Sequence, residues 1–129
     1  MRTIWRSLVL GGALIGFAAT SPAQGPELQN LMRQKLVHAQ KILEAVVVSD
    51  WVGLETHSRQ LEDVTKDRAW MVLKYPEYAR HSADFVRAIQ ALHTAAAQRD
   101  LDKAPQAYVA VTLECVSCHR YLARERVAR

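Results

Sequence analysis

Two cysteines and a histidine lie close together near the C-terminus, in the segment Cys115-Val116-Ser117-Cys118-His119. On an α-helix, positions i, i+3 and i+4 share one face, so both sulfur atoms and the imidazole can meet one flat molecule. This spacing is that of a c-type haem attachment site, in which each thiol adds to a haem vinyl group and the histidine binds the iron. The motif therefore predicts one covalently attached haem per chain, with Cys115 and Cys118 as attachment residues and His119 as an iron ligand.

Two cysteines separated by two residues also occur in dithiol redox sites, zinc sites and disulfides. A thioredoxin-like site would lie near a βαβ pattern, whereas this sequence has almost no strand-like alternation. A structural zinc site would need a second pair of ligands, and the chain has only these 2 cysteines. Haem is therefore the preferred interpretation.

The first 23 residues have the pattern of a secretory signal peptide. Arg2 and Arg6 give a positive start, residues 8–19 form an apolar stretch, and Ala23 ends a small-residue cleavage site. The apolar stretch is interrupted by glycines and is shorter than the roughly 20 residues of a spanning helix, so we expect cleavage rather than a retained anchor. Residues 24–129 would then form the mature domain in the periplasm, because bacteria attach haem covalently outside the cytoplasm.

The mature chain is expected to be nearly neutral and to form one domain. Loss of Arg2 and Arg6 reduces the 17 basic residues to 15, against 13 acidic ones. No basic run with interleaved aromatic residues is present, so we expect no nucleic-acid partner. We also expect no stable membrane insertion of the mature chain. A little over one hundred residues can bury one core and no more.

The mature sequence contains four stretches with helical periodicity. They are predicted to run from about Glu27 to Val48, from a cap at Ser49 or Asp50 to about Asp67, from Pro76 to about Arg99, and from Pro105 to about Arg124. Four amphipathic helices with short connections predict an all-α, antiparallel four-helix bundle, because each apolar stripe must be buried against the other helices. The haem is expected inside this bundle, held by the fourth helix.

The first helix carries one apolar stripe at steps of three and four residues. The stripe consists of Leu28, Leu31, Met32, Leu36, Ala39, Ile42, Leu43 and Val46. Lys35 projects toward it, either as a partner of a haem propionate or as a stem lying on apolar surface with its ammonium in water. The other histidines, His57, His81 and His93, are expected at the surface or at its boundary.

The signal peptide, the helical pattern and the C-terminal haem motif resemble the cytochrome c′ family over the whole mature chain. Residues 108–113, Tyr-Val-Ala-Val-Thr-Leu, are part of this resemblance. Mitochondrial-type cytochromes c carry the motif near the N-terminus and supply a methionine from downstream. Here neither methionine nor histidine follows His119. A second axial ligand would have to come from upstream.

The resemblance implies two alternatives for the sixth iron position. In one kind of family member, an apolar side chain on the first helix blocks the sixth position, and the five-coordinate iron binds small gases. In the other kind, a methionine on the first helix is the sixth ligand. Met32 lies near the centre of the apolar stripe and is the residue implied for this role, although a methionine there can also be flexible core filler. His38, on the flank of the stripe, competes with it. The sixth ligand is thus Met32, His38 or absent.

These observations predict an electron-transfer cytochrome that exchanges electrons with redox partner proteins. No acid–base or nucleophile constellation surrounds the motif, so we expect no enzymatic activity. Ligation by Met32 would raise the reduction potential. The alternative function is binding of nitric oxide or carbon monoxide, as a sensor or buffer, at an open iron face. The resemblance also implies a homodimer that pairs through the first two helices.

Overall fold

The computed structural model describes residues 25–72 and 75–127. These residues form four α-helices and a short 3-10 turn: α1 Pro26–Val48, α2 Trp51–Val64, the turn Trp70–Val72, α3 Pro76–Gln98 and α4 Lys103–Val127. They contain no strand, which confirms the all-α prediction, and the four helices are consistent with a helical bundle. None of these helices combines the length and the hydrophobicity needed to cross a bilayer. The predicted signal peptide, residues 1–23, lies outside the described residues.

The junction between α1 and α2 is formed by two residues with different roles. Asp50, not Ser49, caps α2, because its carboxylate accepts a hydrogen bond from the backbone N–H of Gly53 at 3.0 Å. A Cβ atom on Gly53 would overlap the Asp50 side chain, so glycine suits this place. Ser49 instead ends α1 in the left-handed conformation, with φ of 58°.

Two helix ends differ from the predicted ones for local reasons. The second helix ends at Val64 and not near Asp67, since the Thr65 hydroxyl donates to the backbone carbonyl of Glu62 at 2.7 Å and the chain then turns. The fourth helix begins before Pro105, at Lys103. The carboxylate of Asp100 accepts a hydrogen bond from the Lys103 N–H at 2.9 Å and so nucleates the first turn.

Apolar side chains from all four helices and from the turn share one core. Its fully buried large members are Ile42, Leu54, Leu61, Ile89, Leu92 and Val111. The first helix packs closely on α2, α2 on α3, and α3 on α4, whereas α1 and α4 touch at few points. One side of the domain, between its first and last helices, is therefore loosely packed.

The buried face of α1 differs from the apolar stripe that the sequence predicts. Ile42 and Ala45 are buried, but Leu36 and Leu43 are 59% and 45% exposed, so the buried face is rotated from the expected one. The reason is that α1 packs mainly against α2, which covers one flank of the stripe and leaves the opposite flank open. Met32 remains partly buried against the core.

The core assignment predicts unequal effects for two leucines. Leu92→Ala should lower the free energy of unfolding by about 2–5 kcal/mol, because it leaves a cavity among fully buried side chains. Leu113→Ala should change this free energy by less than about 0.5 kcal/mol, since Leu113 is 58% exposed on a helix surface. Urea unfolding followed by circular dichroism measures both values. Equal losses in the two variants would contradict this core.

Candidate haem attachment site

The whole Cys-x-x-Cys-His motif lies within α4. Both cysteines are half-buried and form no disulfide, and Cys115 packs against the core. His119, one position beyond Cys118, is exposed. The helix thus holds two free thiols and one imidazole at neighbouring positions of one face, as covalent haem attachment requires.

The electrostatics of the two thiols do not favour a dithiol redox site. Burial raises the pKa of Cys115 and Cys118, and the nearby charge of Lys35 offsets this only in part. A raised pKa disfavours the thiolate that an attacking redox cysteine needs. Among the described residues, moreover, neither thiol belongs to a cluster of three metal-binding side chains.

Two influences lower the pKa of the His119 imidazole. Partial burial lowers its pKa, and the positive charge of Lys35 lowers it further. A lowered pKa favours the neutral ring, whose nitrogen lone pair a metal ligand needs.

Lys35 on α1 lies beside this motif and is almost completely buried. It is 9% exposed, and its Nζ lies 4.2 Å from the ring centroid of Trp70 and 3.8 Å from that of Phe85. Burial lowers its pKa, and within the described part of the chain only the two thiols act in the opposite direction. The ammonium thus lies against aromatic rings and not in bulk water, with cation–π attraction in place of an acidic partner.

The aromatic wall of this site comes from the turn and from α3. The ring centroids of Trp70 and Phe85 are 5.8 Å apart, and the ring centroid of Tyr78 lies 6.1 Å from that of Trp70. The Tyr78 hydroxyl donates to the backbone carbonyl of Trp70 at 2.6 Å, which fixes the turn on the core. Sequence periodicity missed Trp70 because it lies in a connection between helices; the available signal was the short apolar run of residues 69–72 that contains this tryptophan.

The two candidate sixth ligands on α1 have different surroundings. Met32 lies one turn before Lys35 and packs partly buried against the core. His38 instead faces α2, where its Nδ1 lies 3.4 Å from Nδ1 of His57 and the ring centroids are 5.6 Å apart. The His38 side chain is therefore engaged at the junction of α1 and α2.

His81 differs from its expected position at the surface. It is 8% exposed and its ring lies 5.6 Å from that of Tyr121, measured between centroids. The reason is that α3 turns this residue toward α4, the helix with which it packs closely. His57 and His93 are partly buried at the boundary, as expected.

No protein-family model, no curated protein and no solved structure significantly matches this chain. Its function is therefore inferred from its own residues.

The alkaline stability should depend on Tyr78. Burial, with a smaller contribution from Cys118, raises the pKa of Tyr78 to about 12. The neutral phenol thus stabilises the fold below pH about 10, the pKa of an unfolded tyrosine, and this contribution is lost as the pH rises to the folded value. Tyr78→Phe should cost about 1–3 kcal/mol at pH 7, because it leaves the Trp70 carbonyl unpaired.

The difference in unfolding free energy between the wild type and Tyr78→Phe should shrink above pH 10. Urea unfolding at pH 7, 9 and 11 would measure it, with the exposed Tyr75→Phe as control. A gap between wild type and Tyr78→Phe that widens with pH would refute this role.

Proposed function

We propose that the mature protein is a periplasmic electron-transfer cytochrome with haem bound covalently at Cys115 and Cys118 and with His119 on the iron. The observation that carries this proposal is the position of two half-buried free thiols and one imidazole on a single face of α4. One-electron redox chemistry is what the haem supplies when bound. The protein would take one electron from a reduced donor protein and pass it to an oxidised acceptor, with no bond made or broken in a substrate.

The haem is proposed to lie toward α1, within an antiparallel bundle like that of the cytochrome c′ family, which the sequence resembles. The sparse contact between α1 and α4 supports this position, since the other neighbouring helices pack closely. Exposed Leu36, on the open flank of α1, is the kind of side chain that a large apolar ring would cover.

Lys35 is proposed to bind a haem propionate. A buried ammonium without an acidic partner is costly, and a carboxylate at this place would supply the missing charge. The effect of the Lys35 charge on Cys115 and His119 supports its closeness to the attachment motif.

Met32 is proposed as the sixth ligand. It packs against the core one turn from Lys35, whereas His38 is engaged with His57. Met71 is less suited because it is 64% exposed. A thioether ligand would raise the reduction potential of the haem. A higher potential suits electron transfer in an oxidising compartment.

A homodimer is proposed to form through α1 and α2. Three exposed valine side chains on these helices, on another face of α1 than Leu36, support this pairing: Val37, Val48 and Val52 are 53%, 66% and 76% exposed. Large apolar side chains exposed on a helix are suited to burial in a protein contact.

The haem prediction is tested by mass spectrometry. Protein exported together with a haem-attachment system should retain one haem after acid and organic extraction, because thioether bonds survive both. Cys115→Ala and Cys118→Ala should each keep one thioether and hold haem less firmly. The control is Ser117→Ala, which lies between the two thiols and should retain haem fully. Haem that extracts from the wild type, or zinc in its place, would refute the proposal.

The Met32 prediction is tested by absorption spectroscopy. The wild type should be low-spin and bind carbon monoxide slowly, because the methionine must first leave the iron. Met32→Ala should be high-spin and bind carbon monoxide readily, whereas His38→Ala should behave as the wild type. If the wild type is already high-spin, gas binding replaces electron transfer as the proposed function; a spin change only in His38→Ala would identify the histidine as ligand.

A further inference from the structure

Three metal-binding side chains meet between α3 and α4, away from the cysteines. A nitrogen of His81, a carboxylate oxygen of Asp84 and one of Glu114 lie within 4.8 Å of one another. His81 and Asp84 are three residues apart on α3 and so share a face, and Glu114 reaches them from α4. The cluster therefore joins the two helices that pack most closely.

One ring nitrogen of the histidine in this cluster lacks a hydrogen-bond partner among the described residues. His81 is more than nine-tenths buried, and its Nδ1 has no partner among the described residues. An unpaired polar atom in a protein interior destabilises the fold by the loss of its hydration, so such atoms generally have a protein, water or metal partner. A buried histidine with an unpaired ring nitrogen and two carboxylates close to its ring provide the surroundings of a cation.

The carboxylates are engaged by arginines that a metal ion can displace or share. Asp84 pairs with Arg80 and Arg87, and Glu114 lies close enough to Arg80 to raise its pKa. Both arginine side chains are more than half exposed, at 57% and 68%. Exposed ion pairs of this kind contribute little stability, about 0–1 kcal/mol, and each carboxylate has two oxygens.

We propose that His81, Asp84 and Glu114 form a binding site for a first-row divalent cation, with Zn²⁺ as the best fit. One imidazole and two carboxylates are ligands that zinc accepts, and a water molecule can complete four-coordinate geometry. In a tetrahedral zinc site with bonds of about 2.0–2.2 Å, the ligand atoms lie about 3.5 Å from one another. Rotation of the Asp84 and Glu114 carboxylates must therefore bring their oxygens roughly 1 Å closer to the other ligand atoms.

Bound zinc would clamp α3 to α4 directly beside the cysteine motif, since Glu114 immediately precedes Cys115. The ligand set does not include either thiol or His119, so the site does not depend on haem. Its chemical class is that of a structural or regulatory cation site in a helical domain, built from facing helices.

The test is calorimetric titration of the mature protein with zinc chloride alone. The thiols are first occupied by haem or, if haem is absent, alkylated, so that they bind no zinc in either case. We expect one equivalent of zinc per chain. We also expect a rise of the melting temperature, on the order of 10 °C, at a zinc concentration one hundredfold above the dissociation constant.

Variants distinguish this site from other zinc-binding groups. His81→Ala and Glu114→Gln should each weaken zinc binding by about tenfold or more. Glu77→Gln is the matched control, because Glu77 is also a carboxylate of α3 paired with Arg80 but lies outside the cluster, and it should bind as the wild type. His57→Ala controls for the histidine pair between α1 and α2.

The variants also define what would overturn the site. The conservative Glu114→Gln keeps the test valid if His81→Ala fails to fold. The proposal is overturned if no zinc binds, if Glu114→Gln binds as the wild type, or if only His57→Ala loses binding. None of these results bears on the haem, which is measured separately by its retention on extraction.

Discussion

Each helix of this domain has one apolar face, and the way in which those faces are covered determines the rest of the structure. Three interfaces between successive helices are closely packed, and the fourth, between α1 and α4, is not. A domain of this size has a small core. Apolar surface that one loosely packed side leaves uncovered is therefore a substantial fraction of its total apolar surface. The two features that bear on function, Lys35 and the cysteine motif, both lie near this side.

Lys35 links the fold to the chemistry of the motif. Its ammonium is buried against Trp70 and Phe85, where cation–π attraction replaces water. The Lys35 charge lowers the pKa of His119. Burial raises the pKa of the thiols, and the same charge partly offsets that rise. A buried positive charge of this kind is suited to an anionic group, and the proposed haem brings two propionates.

The fourth helix presents different chemistry to its two neighbours. Toward α1 it carries thiols and an imidazole, which suit covalent haem attachment. Toward α3 it carries Glu114, which meets His81 and Asp84. These groups are close in sequence but occupy different flanks of the helix, because a step of one residue turns the side chain by about 100°. One helix can thereby hold two sites with separate ligands.

The sequence alone determined the helices and the cysteine–histidine motif, because both depend on local spacing. Periodicity placed α1 and α3 to within a residue or two, and the spacing of Cys115, Cys118 and His119 needs no tertiary information. Local patterns also placed Lys35 on the inner side of α1.

Only the tertiary structure decided which flank of each stripe is covered. Leu36 was expected in the core and is exposed, whereas His81 was expected near the surface and is buried, because close packing of α1 on α2 and of α3 on α4 sets the rotation of each helix. Trp70 could not be placed from periodicity, since it lies in a turn held by Tyr78. The meeting of His81 with Glu114 joins residues 33 positions apart. Such a contact follows from how two helices pack, which no local pattern specifies.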